Sequence, residues 1–210
     1  MPWISASIHS TQLPPVLNVD QKIELFKSRV LEWQLGIADQ IANGDPATGR
    51  PAIPHSGFAV LSIVVNYFEI IGKFRLGYDS TGMSERHFDV GARDVLEKVT
   101  DVRIEWFDRI IERLYEPIRC GLYHAGMTGW GVSLSGDPLK PFNVNRDGTL
   151  IVNPHKLVKV LIQHFGLYVN ELTDATNISL RTNFERRFDF EAFEAGVVPA
   201  CGSGPYARRY

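Results

Sequence analysis

The stretch Phe58–Val65, Phe-Ala-Val-Leu-Ser-Ile-Val-Val, constrains the fold more than any other feature of this chain. It is apolar on nearly every face at once, and a helix of that kind belongs at the centre of a bundle. The sequence predicts helix from Ser56, a candidate cap, to about Leu76, with Gly77 just past its end. The apolar run itself, Phe58 to Ile71, is shorter than a bilayer crossing and carries Asn66 and Glu69, so no membrane span is expected. With 44% hydrophobic residues among 210, the chain has material for one sizeable core.

Around this centre, apolar residues recur at helical spacing. Ile23, Phe26, Val30, Trp33, Ile37 and Ile41 draw one stripe down a helix from Val19 that ends at Asn43-Gly44-Asp45-Pro46. A Pro/Gly-rich loop follows to Pro54, and a further helix is expected from Ser84 to about Val99. In Asp101–Tyr115 the buried face is Ile104, Phe107, Ile110, Ile111 and Leu114, with Glu105, Arg109, Glu112 and Arg113 on the solvated side. Asn153-Pro154 is a strong helix start, and Leu157, Leu161, Phe165, Tyr168 and Leu172 share one stripe beyond it. Thr182-Asn-Phe-Glu185 fits a capping box for a short helix with Phe184, Phe188 and Phe193, ending at Gly196.

Between Gly129 and Val152 the period drops to two. Val132 and Leu134 alternate with serines, and Phe142–Arg146, Asp147-Gly148 and Thr149–Val152 read as a hairpin with a two-residue turn. The expected fold is therefore mainly α, a helical bundle with an inserted β-hairpin. It divides into an arm over 1–18, a bundle over 19–175 with the hairpin near 130–152, and a C-terminal helix with a mobile tail over 176–210.

A net charge of -2 excludes a broad basic field, so contact with nucleic acid requires a local site. Two cysteines, Cys120 and Cys201, form neither a disulfide framework nor a zinc pattern, and the N-terminus lacks the features of a secretory signal. Both point to the cytoplasm. Phosphate loops, dinucleotide fingerprints, His-Glu-x-x-His and Cys-x-x-Cys are absent. His155 and His164 are nine residues apart, on opposite sides of one helix, and Ser133 lacks the closing glycine of a nucleophile elbow. Neither a metal nor a cofactor is expected.

One constellation carries chemistry: Arg119-Cys-Gly-Leu-Tyr-His124. Pro117 suits the first position of a helix, which would put Arg119 in a first turn where backbone N–H groups and the helix dipole favour phosphate. A guanidinium makes two-pronged hydrogen bonds to phosphate oxygens, and a histidine, ordinarily titrating near ~6.5, can move a proton. Residues five apart on an ideal helix point about 140° away from each other. The pair must then flank a substrate, bend at Gly121, or work across a dimer. The bland reading has Arg119 paired with Glu116 at the surface and His124 capping carbonyls. Tyr115, Tyr123 and Trp130 are candidates to stack a base, or to serve as core or interface.

Arg, a few residues, then His, in a helical chain of this size, resembles the HEPN superfamily. The phrase Arg119-x-Gly121-Leu122-x-His124, and Asn153-Pro154-x-x-Leu157 with Phe165-x-x-Tyr168 further on, are similar to uncharacterised bacterial members. The resemblance implies a metal-independent ribonuclease, of the kind found as toxins in toxin–antitoxin pairs. Its cleft would form between two protomers, with RNA as substrate and a neutralising protein as a possible partner. Arg119 would bind phosphate and His124 would be general acid or base. Other members are noncatalytic or are described as nucleotide-binding. Cys120 departs from the Asn, Asp or His common after that arginine, which favours the alternative, a noncatalytic protein- or nucleotide-binding module. Arg50 and His55 show the same spacing inside the Pro-rich loop, where no helix is expected.

Overall fold

A computed structural model describes Ile8, Pro14 and residues 16–194, with the backbone alone at 192–194. Most of the expected arm, the Phe193 side chain, the end at Gly196 and the tail with Cys201 lie outside the described residues. What is described is mainly helical, with one small sheet between two of the helices.

The central helix is present as two collinear pieces, α3 (Gly57–Val64) and α4 (Asn66–Leu76). Its apolarity is used in packing: Val60, Leu61, Val64, Phe68, Ile71 and Phe74 are buried. Together the pieces run for 20 residues, and by length and composition alone that is enough to cross a membrane. Ser56 is not its side-chain cap; the hydroxyl donates to the Ile41 carbonyl. Gly77 ends α4 in the left-handed region.

Helix α5 (Ser84–Val99) lies antiparallel to α4 at very short range. Gly72 faces the His87 carbonyl and Gly91 faces that of Phe68, and at either site a Cβ would collide with backbone. On the other side, rings from four helices interlock. Phe26 of α1 (Val19–Val30) stands 4.2 Å from Phe74, 5.5 Å from Phe165 of α8 (Pro154–Thr173) and 5.5 Å from Phe184 of α9 (Ile178–Glu194). Helix α9 begins upstream of the expected capping box; Thr182 is inside it and donates to the Ile178 carbonyl.

The first stripe slips. A wide turn of π type, Leu31–Leu35, separates α1 from α2 (Gly36–Asn43) and inserts one extra residue into the helical period. Ile23, Phe26 and Val30 are buried as expected, but beyond the turn Leu35, Ala38 and Ala42 take the core positions. Trp33 and Ile37 come out 40% and 42% exposed.

A second wide turn, Leu114–Cys120, joins α6 (Phe107–Arg113) to α7 (Gly121–Ala125). Proline inside a regular helix lacks an N–H and strikes the carbonyl four residues back; the wide turn gives it room. Pro117 is thus interior and starts no helix. Phe107, Ile110, Ile111 and Leu114 are buried, whereas Ile104, on a short 3-10 turn, is exposed.

The hairpin pairs β2 (Phe142–Val144) with β3 (Leu150–Val152) in antiparallel register, Phe142 opposite Val152. Its loop has three residues rather than two: Gly148 N–H donates to the Asn145 carbonyl, and Gly148 at φ 85° supplies the left-handed step of a bulged turn. The Val132–Leu134 alternation becomes β1, parallel to β3 on its other edge, so the hairpin is part of a three-stranded sheet. Two arginines expected on a solvated face hold this sheet to α6, Arg109 through the Gly148 carbonyl and Arg113 through that of Trp130. Asn153 accepts from the His155 and Lys156 N–H groups and so caps α8, as its sequence position predicts.

Candidate functional site

Arg119 sits in the second wide turn, its side chain 19% exposed, and donates from Nη2 to Oε2 of Glu69 at 2.9 Å. Glu69 interrupts the apolar run of α4 and is itself buried. Its Oε1 accepts from the Ser80 hydroxyl at 2.6 Å, with Lys73 Nζ at 3.9 Å. Burial alone would pull the Arg119 pKa down; the Glu69 carboxylate outweighs it and holds the guanidinium above its ordinary value. From Lys73 the ion pairs continue through Asp79 at 3.8 Å to Arg187 at 3.1 Å and on to Glu191. Arg119 is therefore one end of a chain of alternating charges that crosses the bundle.

The expectation of a helix first turn under Arg119 is not met, since the helix runs through it and the local N–H groups are engaged. The wide turn has a different consequence. The Gly121 N–H reaches back to the Glu116 carbonyl and passes over that of Pro117, which accepts instead from Gly129 N–H at 2.7 Å. This bond folds the loop after α7 back onto the turn. Gly121 is needed there because a Cβ would collide with the Met127 carbonyl, Gly129 packs tightly on Pro117, and Gly126, left-handed at φ 66°, ends α7.

His124, in the last turn of α7, is exposed. It does not cap carbonyls. Its ring meets that of Tyr123 edge-on at 5.0 Å, and the Arg119 guanidinium lies 5.5 Å from the same ring and 5.9 Å from that of Tyr115. Arg119 and His124 thus share Tyr123 as a neighbour without touching each other. Glu116 is exposed and takes no part in holding Arg119, and Cys120 is a half-buried free thiol. Tyr123, Met127 and Trp130 follow one another along α7 and its loop, exposed to 75%, 64% and 96%. The Arg50 and His55 match lies in the loop before α3, with His55 in the left-handed region.

The partners of Arg119 are faint in the sequence. Glu69 was visible only as a polar residue in an apolar run. A second buried polar cluster forms around His164, which reads from the sequence as a helix residue with satisfied hydrogen bonds: fully enclosed, it is bonded to the Tyr67 hydroxyl at 2.8 Å and to Asp94 at 3.0 Å. Tyr67 and His164 are buried, so the cluster is part of the core. Among the described residues, no group of three or more His, Cys, Asp or Glu is placed to hold a metal ion. In comparisons with known proteins, no family model, no curated protein and no solved structure matches this chain.

Proposed function

We propose that this chain is a metal-independent endoribonuclease of HEPN type, acting in the cytoplasm as a homodimer. The observation that supports it is that Arg119 and His124 both neighbour the Tyr123 ring, one guanidinium fixed by a buried carboxylate and one imidazole open to solvent. Glu69 engages Nη2 and Nε is buried, so the guanidinium would meet phosphate oxygens through its remaining Nη donors. His124 would take the proton of a ribose 2′-OH as that oxygen attacks phosphorus. The bond to the 5′-oxygen then breaks, and a protonated imidazole, supplied by the second protomer, returns a proton to it. Arg119 would stabilise the charge that gathers on the phosphoryl oxygens. General acid–base action of this kind is worth roughly 10²–10⁴-fold in rate. The exposed run Tyr123, Met127 and Trp130 is apolar surface of the kind that a second protomer or a neutralising protein covers.

A second reading is favoured by the Arg119–Glu69 pair itself. A guanidinium already neutralised by a buried carboxylate suits a structural role, and the chain is then a noncatalytic protein- or nucleotide-binding module. Single-stranded RNA incubated with the full chain and EDTA decides between them. Cleavage is expected, lost in both His124→Ala and Arg119→Ala while circular dichroism stays unchanged. Cleavage that persists in both folded variants removes the assignment of these residues, and an inert wild-type chain leaves the module reading.

A further inference from the structure

The wide turn after α1 has a counterpart across the bundle. Trp33, displaced from the core by the extra residue, stands with Phe190 of α9 beside a cavity of about 630 Å³ between α1, α4 and α9. Its apolar walls include Phe26, Phe74 and Phe188, all buried. Its charged members are two guanidiniums, Arg29 and Arg187, and one carboxylate, Glu191.

Arg187 is the unusual member. Its side chain is 5% exposed, and its neighbours do not exhaust it. Nη2 donates to Glu191 at 2.7 Å and Nη1 stands 3.1 Å from Asp79, but Nε, also buried, has no hydrogen-bond partner. Arg75, Arg113 and Arg119 also carry a buried guanidinium nitrogen without an acceptor, but of these arginines Arg187 is the one that lines the cavity, where an incoming acceptor could relieve the unfavourable state. Phe190 covers the guanidinium face at 4.9 Å, leaving its edge as the direction for an incoming group. The volume falls in the range of sites for small organic molecules.

We propose that this cavity binds a small amphipathic anion, an apolar body held by the phenylalanines with one carboxylate or equivalent acid accepting from Arg187. The site is separate from Arg119 and His124 and does not depend on the ribonuclease reading. The aromatic walls suit either an alkyl chain or a fused ring, and the two are told apart by the probe.

Isothermal titration of the full chain with decanoate, 1-naphthoate and the uncharged decanol provides the test. One equivalent of at least one carboxylate is expected to bind, about tenfold or more tighter than decanol, as a charge-assisted hydrogen bond implies. Arg187→Met keeps much of the apolar stem and removes the charge, and is expected to weaken the carboxylate by about tenfold or more. Because Arg187 also serves an ion-pair chain, Ile70→Trp, which fills the space from α4, is the second variant; it is expected to abolish binding with the melting temperature retained. No binding of either carboxylate, decanol binding as tightly as decanoate, or unchanged binding in both variants overturns the proposal.

Discussion

Asp94 of α5 is where His164, Arg75 and Lys98 meet. It accepts from His164 Nε2 at 3.0 Å and from Arg75 Nε at 2.8 Å, and Lys98 Nζ stands 3.0 Å away. Burial pushes its pKa up, but His164, Arg75 and Lys98 outweigh that and bring it from 3.8 down to about 2. A carboxylate depressed in the folded state contributes stability above its unfolded pKa and loses it as pH falls through the folded one. Urea unfolding followed from pH 5 to pH 2 should therefore show a loss of about 2 kcal/mol from this group, concentrated below about pH 4. Asp94→Asn should remove that part of the pH dependence and lower stability at pH 7. An unchanged acid limb in the variant would place the effect elsewhere. That His164 is hydrogen-bonded is legible in the sequence, but its partners are not, because Tyr67, Asp94 and His164 are isolated polar letters on three separate helices. Only Glu69 left a trace, as a charge inside an apolar run.

Elements were easier to anticipate than their phases. The stretches 19–43, 57–76, 84–99 and 154–173 are helical where apolar spacing and the Asn153 cap predict, because both signals are local. The two wide turns were hidden, since a stripe at three- and four-residue spacing looks the same whether or not one extra residue is absorbed further on. Trp33 shows the consequence: a core position by period, a cavity position by structure. The approach of α4 and α5 is equally specific, resting on Gly72 and Gly91, where a side chain would meet backbone rather than a yielding rotamer. Gly91→Ala gains about 1 kcal/mol in helix propensity but forces the helices apart. The clash should win by roughly 2 kcal/mol, lowering the melting temperature by about 4–8 °C in a chain of this size. A melting temperature at or above wild type would mean that the helices can separate without loss.

At the scale of the molecule, α9 belongs to the core. Leu180, Phe184 and Phe188 are buried in the same cluster as Phe26, Phe74 and Phe165. Burying each such side chain contributes about 1.5–3 kcal/mol, against a typical total stability of about 5–15 kcal/mol. A chain ending at residue 176 should therefore lose its near-ultraviolet circular dichroism and its cooperative melt. A sharp transition in that fragment would make 19–175 a unit able to fold alone. By itself the sequence determined the fold class, the central place of α3 and α4, the capped start of α8 and the presence of a hairpin, because periodicity, caps and turn residues act over a few positions. The third strand, the slip at the wide turns, the cavity beside Trp33 and the carboxylate that holds Arg119 were decided only by tertiary structure. Glu69 and Arg119 are 50 residues apart in the chain, and which charges meet over such a distance depends on how the helices pack.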